Sequence, residues 1–178
     1  MKVVVFSGLP GTGKSALAES VGRTLGIPVF AKDWLEARLL RCELTPENKE
    51  RPLGSAGYEL LTVLAERQLM LGQSVILDSV ASTESIRSTW KQVAAKYGAD
   101  WLVVECICSD ESIHRERLKS RQRGIPGWHE LEWADLDSVR SYFAPWNEPR
   151  LVLDAIRPVD GNLKKILDWL ENKKEISK

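Results

Sequence analysis

The chain has 178 residues, 43% of them hydrophobic and 28% charged, which are the proportions of a soluble globular protein able to build a core. Twenty-five basic residues balance twenty-five acidic ones, so no overall field draws the chain to nucleic acid or to an anionic membrane. The apolar run at residues 3–6 is too short for a signal-peptide core or a membrane span, and no later run is long enough; a single cytoplasmic domain over residues 1–178, without membrane contact, is expected.

The run "KVVVFSG" reads as a strand buried on both faces. It leads into Gly8-Leu9-Pro10-Gly11-Thr12-Gly13-Lys14-Ser15, which fits G-x-x-x-x-G-K-[ST]. Glycines let the backbone wrap phosphates closely, so that N–H groups from about Gly11 to Ala16 point inward. A helix over residues 14–25, ended by Gly26, adds the positive end of its dipole. In this pattern Lys14 bridges the terminal phosphates and the Ser15 hydroxyl ligates magnesium. A nucleoside triphosphate is the expected ligand.

The second strand, "IPVFAKD", brings Asp33 to the same edge, and "WLEARLLR" is a short helix after it. A carboxylate there accepts the proton of an incoming hydroxyl; the alternative is that Asp33 only caps the helix, since Asp is a favoured N-cap. Residues 42–55 are polar, hold two prolines and lack periodicity, which predicts an irregular and mobile excursion. Leu60, Leu61, Leu64 and Leu71 then mark a helix closing at Gly72. The third strand, "SVILD", ends in Asp78, an acidic group for magnesium, but Ser79 follows where hydrolytic ATPases place a water-activating glutamate. The guanine-reading Asn-Lys-x-Asp is lacking too; its nearest counterpart is "NKKE" at Asn172. The site therefore reads as one for transfer rather than hydrolysis.

Ile86, Trp90, Val93, Ala94 and Tyr97 repeat at helical spacing up to Gly98. The fourth strand, "WLVVECICS", carries Cys106 and Cys108 on one face, read as two small buried residues in a reducing compartment because no further zinc ligands are evident. Residues 112–124, "SIHRERLKSRQRG", hold five basic residues against one acid. On a helix, His114, Arg117 and Arg121 share a face. A lid that neutralises charge during transfer and a solvated charged helix are the two readings. "PRLVLDA" is the fifth strand, and Asp160 is the expected N-cap of a last helix with Leu163, Ile166, Leu167 and Leu170 on its apolar face. Strands alternating with helices imply parallel pairing, helices on both sheet faces, and a ligand beyond the carboxyl ends of the strands.

"GLPGTGKS", "KDW", "VILDS" with Arg87 in the helix beyond it, "RLKSR" and "LVLDAIRPVDGNLKKILDWL" together resemble the P-loop small-molecule kinases of the nucleoside-monophosphate-kinase-like group. That group includes chloramphenicol phosphotransferases, gluconate and shikimate kinases, zeta toxins and polynucleotide 5′-kinases. The resemblance implies an α/β P-loop NTPase three-layer sandwich with a five-stranded parallel sheet ordered 2-3-1-4-5. It also implies a lid after the fourth strand (residues 110–130), ATP and Mg2+, and an acceptor-activating carboxylate at Asp33. Arg117 and Arg121 match lid arginines that contact phosphates, and Arg157 falls where such kinases lay chain against adenine. The Asp-x-x-Arg of many polynucleotide kinases is not matched, because the arginine after Asp33 is Arg38.

The implied acceptor is a small molecule lying between residues 34–60 and 79–90. A nucleic-acid acceptor ranks second, because positive charge outside the lid is interleaved with acid. A nucleotide-dependent switch with little transfer is the reading from another class, and Asp33 separates it from a kinase. Trp34, Trp128 and Trp133 are candidates for an aromatic acceptor wall, against ordinary packing. Oligomeric state is left open.

Overall fold

The computed structural model describes residues 1–42 and 53–176. In chain order the elements are β1 (Lys2–Ser7), α1 (Lys14–Leu25), β2 (Val29–Ala31), α2 (Lys32–Arg41), α3 (Leu53–Met70), β3 (Val75–Asp78), α4 (Glu84–Lys96), β4 (Asp100–Ile107), α5 (Glu111–Ser120), α6 (Trp133–Tyr142), β5 (Leu151–Asp154) and α7 (Val159–Ile176). The five strands form one sheet in the order β2-β3-β1-β4-β5, and every pairing is parallel. This is the three-layer P-loop NTPase fold expected from the sequence.

Alternation along β1 explains the layering. Val3 and Val5 enter a core with Leu61, Leu69, Trp90 and Val103 beneath α3 and α4. Val4 and Phe6 enter a second core with Leu17, Val21, Ile166 and Leu170 beneath α1 and α7. A central parallel strand has no solvent face, so it reads as an unbroken apolar run. The order also sets side by side, at one sheet edge, the ends of β2, β3, β1 and β4, from which Asp33, Asp78, the glycine loop and the basic segment emerge.

Four expectations are corrected. Most of the excursion at residues 42–55 lies outside the described residues, but residues 53–55 already belong to α3. The basic segment is helical only to Ser120; Arg121 has φ −67° and ψ 130°, so it leaves the helix and does not share its face with His114 and Arg117. Asp160 lies inside the first turn of α7 rather than before it. Cys108 is half-buried, unlike Cys106.

The sequence reading also missed α6. Its N-terminus is closed by a capping box in which Glu132 and Asp135 serve each other's backbone N–H groups. Arg87 turns out to be a brace. It is buried, donates to the carbonyls of Ala81 (2.7 Å), Ala144 (2.7 Å) and Pro145 (2.9 Å), and lies 3.8 Å over the Trp146 ring.

Candidate functional site

The glycine loop is seated by two close approaches. Gly8 has φ +140°, and a Cβ there would lie 2.1 Å from the Cys106 carbonyl oxygen of β4, so no side chain fits. Gly11 has φ +86° with the His114 ring 3.0 Å from where its Cβ would be. His114 is itself buried and its Nε2 stands 2.7 Å from the Pro10 carbonyl. A carbonyl only accepts, so Nε2 carries the proton and donates. His114 is therefore a strut beneath the loop, and its edge meets Trp133 of α6 at 5.3 Å. The Thr12 hydroxyl closes the turn onto the Leu9 carbonyl at 2.8 Å.

Behind the loop, Lys14 and Asp78 are both buried. Burial pushes the Lys14 ammonium down to about 8; Asp78 opposes the shift, while Arg121 and Arg123 add to it. Burial pushes the Asp78 carboxyl up, against the pull of Lys14 and of a hydrogen bond from Ser15. Asp78 Oδ1 and Arg121 Nη2 are buried here with neither a hydrogen-bond nor an ion-pair partner among the described residues. A buried carboxylate oxygen beside a hydroxyl fits a hard cation, and a buried guanidinium donor fits an anion. The residues present therefore fit a magnesium–nucleotide complex, with Ser15 and Asp78 on the cation side.

In front of the loop lies a cavity of about 500 Å3. Its floor is Gly11, Gly13, Lys14, Ser15 and Ala16; its walls are Glu19, Trp34 and Val159; its roof is Arg117, Gln122 and the two half-buried arginines Arg121 and Arg123. Arg117 is carried by α5, whereas Arg121, itself extended, and Arg123 come from the non-helical chain after it. That geometry has a reason. Residues two apart diverge on a helix but share a side of an extended chain, so leaving the helix is what turns both guanidinium groups towards the loop. Glu130 holds the segment: its Oε1 accepts the Arg123 backbone N–H at 2.7 Å and its Oε2 pairs with Arg121 Nε at 3.3 Å.

Asp33 is the second residue of α2, whose N-cap is Ala31, so it does not cap the helix as an N-cap residue would. Its Oδ2 accepts from Nη1 of Arg123, and Nη2 of the same arginine reaches the Ser15 hydroxyl at 3.4 Å. One guanidinium thus joins Asp33 to the glycine loop. Arg157 is exposed in the turn after β5; Val159, two residues on, is what borders the cavity. Trp34 is 48% exposed at the cavity wall. Trp128 stacks on His129, and Trp133 lies between Arg115 (4.4 Å) and Arg140 (4.9 Å), so neither faces the cavity. Sequence reasoning missed the roles of Arg123 and Glu130. The available signal was an acid six residues after a basic run, which has no helical or strand period to place it.

Residues 3–145 match the family model described as an AAA domain. The chain belongs to that family. Among curated proteins it is 35% identical over 149 residues to the UPF0200 protein of Aeropyrum pernix, covering 77% of this chain and 74% of that one. It is also 29% identical over 134 residues to an uncharacterized protein of Mycobacterium tuberculosis, of which it spans 26% of the length.

Among solved structures, this AAA-family chain superposes on a sugar kinase from Janibacter sp. with a TM-score of 0.71 at 17% identity, covering 96% of this chain and 95% of that one. It superposes on the APS kinase of Mycobacterium tuberculosis, solved with AMPPNP and APS, with a TM-score of 0.62 at 25% identity, covering 96% and 97%. The fold is that of the P-loop kinases. Among the described residues, no helix is long and apolar enough to cross a membrane.

Proposed function

We propose that this protein is an ATP- and Mg2+-dependent kinase that transfers the γ-phosphoryl group to a hydroxyl of a small molecule. The observation that carries the reading is the Asp33 carboxylate, tied through Arg123 to Ser15 of the glycine loop. A switch has no use for a carboxylate at that point, whereas phosphoryl transfer to a hydroxyl needs a proton acceptor there. The kinase fold and the APS kinase crystallised with a triphosphate analogue support the same reading.

In this mechanism the loop N–H groups and Lys14 hold the triphosphate, and Arg117 and Arg121 stabilise charge on the transferring group. Ser15 and Asp78 would hold the magnesium ion, which when bound supplies charge neutralisation at the phosphate oxygens. Asp33 takes the proton from the acceptor hydroxyl. The acceptor oxygen forms a new bond to phosphorus as the bond to the ADP oxygen breaks, and ADP leaves. The absence of a glutamate after Asp78 leaves no positioned base for water at the end of β3.

The test is γ-labelled ATP with magnesium and a small-metabolite extract, following label into small molecules, nucleic acid, protein and free phosphate. The expected result is a labelled small-molecule product that disappears in Lys14→Ala and in Asp33→Asn, with nucleotide binding retained in Asp33→Asn. Transfer unchanged in Asp33→Asn would remove that carboxylate from the mechanism. Slow release of free phosphate alone, with tight nucleotide binding, would establish the switch instead.

A further inference from the structure

Arg123 is the most heavily committed side chain of the cavity. It is 10% exposed, and its partner Asp33 is 23% exposed, so the pair is shielded from solvent on most sides. Nη1 donates to Asp33, Nη2 points at the Ser15 hydroxyl, and the backbone N–H is fixed by Glu130. Two consequences follow from the chemistry of those partners. While Arg123 donates to Asp33 Oδ2, a guanidinium stands between that oxygen and Ser15, and an acceptor hydroxyl must compete with it for the oxygen. While Nη2 faces Ser15 Oγ, a divalent cation at the same hydroxyl would stand against a guanidinium of like charge. Loading the loop with a metal–triphosphate therefore requires Arg123 to move, and the terminal phosphate is the stronger anion for it to move to.

We propose that Arg123 is an exchange residue, the counter-ion of Asp33 before nucleotide binds and of the terminal phosphate afterwards, so that nucleotide binding uncovers the base. The inference rests on the nucleotide-binding part of the function proposed above. It assigns Arg123 a positioning role and makes binding ordered, nucleotide first and acceptor second. It also carries a coupling: Asp33 competes with the triphosphate for Arg123, so removing the Asp33 charge tightens nucleotide binding, and by linkage a bound triphosphate weakens the Asp33–Arg123 pair by the same factor.

The test is calorimetric and needs no acceptor. AMPPNP and ADP are titrated with magnesium into wild type, Asp33→Asn, Arg123→Gln and the double variant. The expected result is AMPPNP binding about tenfold tighter in Asp33→Asn, on the scale of a shielded charge-assisted pair. ADP, lacking the terminal phosphate, should gain at most about twofold. In the Arg123→Gln background the Asp33→Asn gain should vanish.

An equal gain in both backgrounds would mean that Asp33 merely repels the phosphates through space, and would overturn the exchange. So would unchanged or weaker AMPPNP binding in Asp33→Asn. If Arg123→Gln fails to fold, Arg123→Lys replaces it. It keeps the charge but loses the fork, and the proposal then requires a gain from Asp33→Asn smaller than that in the Arg123 background.

The outcome is separable from the kinase reading. Exchange with no transfer to any acceptor would sink the kinase and leave the exchange standing. Transfer without the coupling would do the reverse, and a wild type that binds neither nucleotide would remove both.

Discussion

Lys14 is a buried ammonium, and burial makes its proton easy to lose. Burial is the largest cause of its fall to about 8, and two neighbouring guanidinium groups deepen it. A triphosphate binds the protonated form, so the direction of the pH dependence follows. Below pH 8 the free protein already carries the proton and affinity is level; above pH 8 binding must take a proton up, and affinity falls by up to about tenfold per pH unit. Titration calorimetry at pH 8 in two buffers of different ionisation heat should show uptake of about half a proton. Because Arg121 contributes to the lowering, Arg121→Gln should move the step to higher pH. Affinity that is level from pH 7 to pH 9.5 would mean that Lys14 stays charged throughout, or is not at the phosphate.

Arg87 shows how one residue can fix the relation between elements. It rises from the first turn of α4, and it satisfies the carbonyls of Ala81, Ala144 and Pro145 while stacking on Trp146. Arg87→Ala would strand three acceptors and leave a gap beside an indole, a loss on the order of 3 kcal/mol. In a chain of this length that corresponds to a fall of roughly 6–12 °C in Tm. Arg87→Lys should recover little, because a single ammonium cannot fork between the carbonyls of Ala144 and Pro145. A variant melting within 2 °C of wild type would show that the brace is redundant.

The elements legible in the sequence were those whose local pattern and tertiary role agree. β1, β3 and β4 are apolar runs because both their faces are covered, and the glycine loop is legible because its backbone tolerates few residues. α6 was not legible: "WADLDSVRSY" buries only Leu136, so there is no apolar stripe to find. The end of α5 was not legible either. Nothing local stops the helix before Gly124, and what breaks it is the demand of Glu130 and Asp33 for Arg121 and Arg123, a contact 7 to 90 residues distant. The strand before it places Asp33 at the correct edge, but its arginine partner lies beyond the end of α5, where the helical period no longer applies.

At the scale of the whole molecule, the cavity is bounded by pieces that follow four different strands, β1, β2, β4 and β5, and the first three of these are joined at the cavity through Arg123. A ligand that binds there stabilises the sheet edge as a unit rather than one loop. Saturation at about 100 times Kd adds about 2.7 kcal/mol to unfolding, which in a chain of this size raises Tm by roughly 5–10 °C. AMPPNP with magnesium should produce that shift in wild type and none in Lys14→Ala. Hydrogen exchange should slow in residues 8–16, 32–36 and 121–130, and be unchanged along α7 beyond its first turn, because only Val159 of that helix reaches the cavity. An equal shift in Lys14→Ala would place the nucleotide somewhere other than the glycine loop. Protection confined to residues 8–16 would mean that the segment after α5 does not close on the phosphates, and that the arginines above them belong to the resting protein alone.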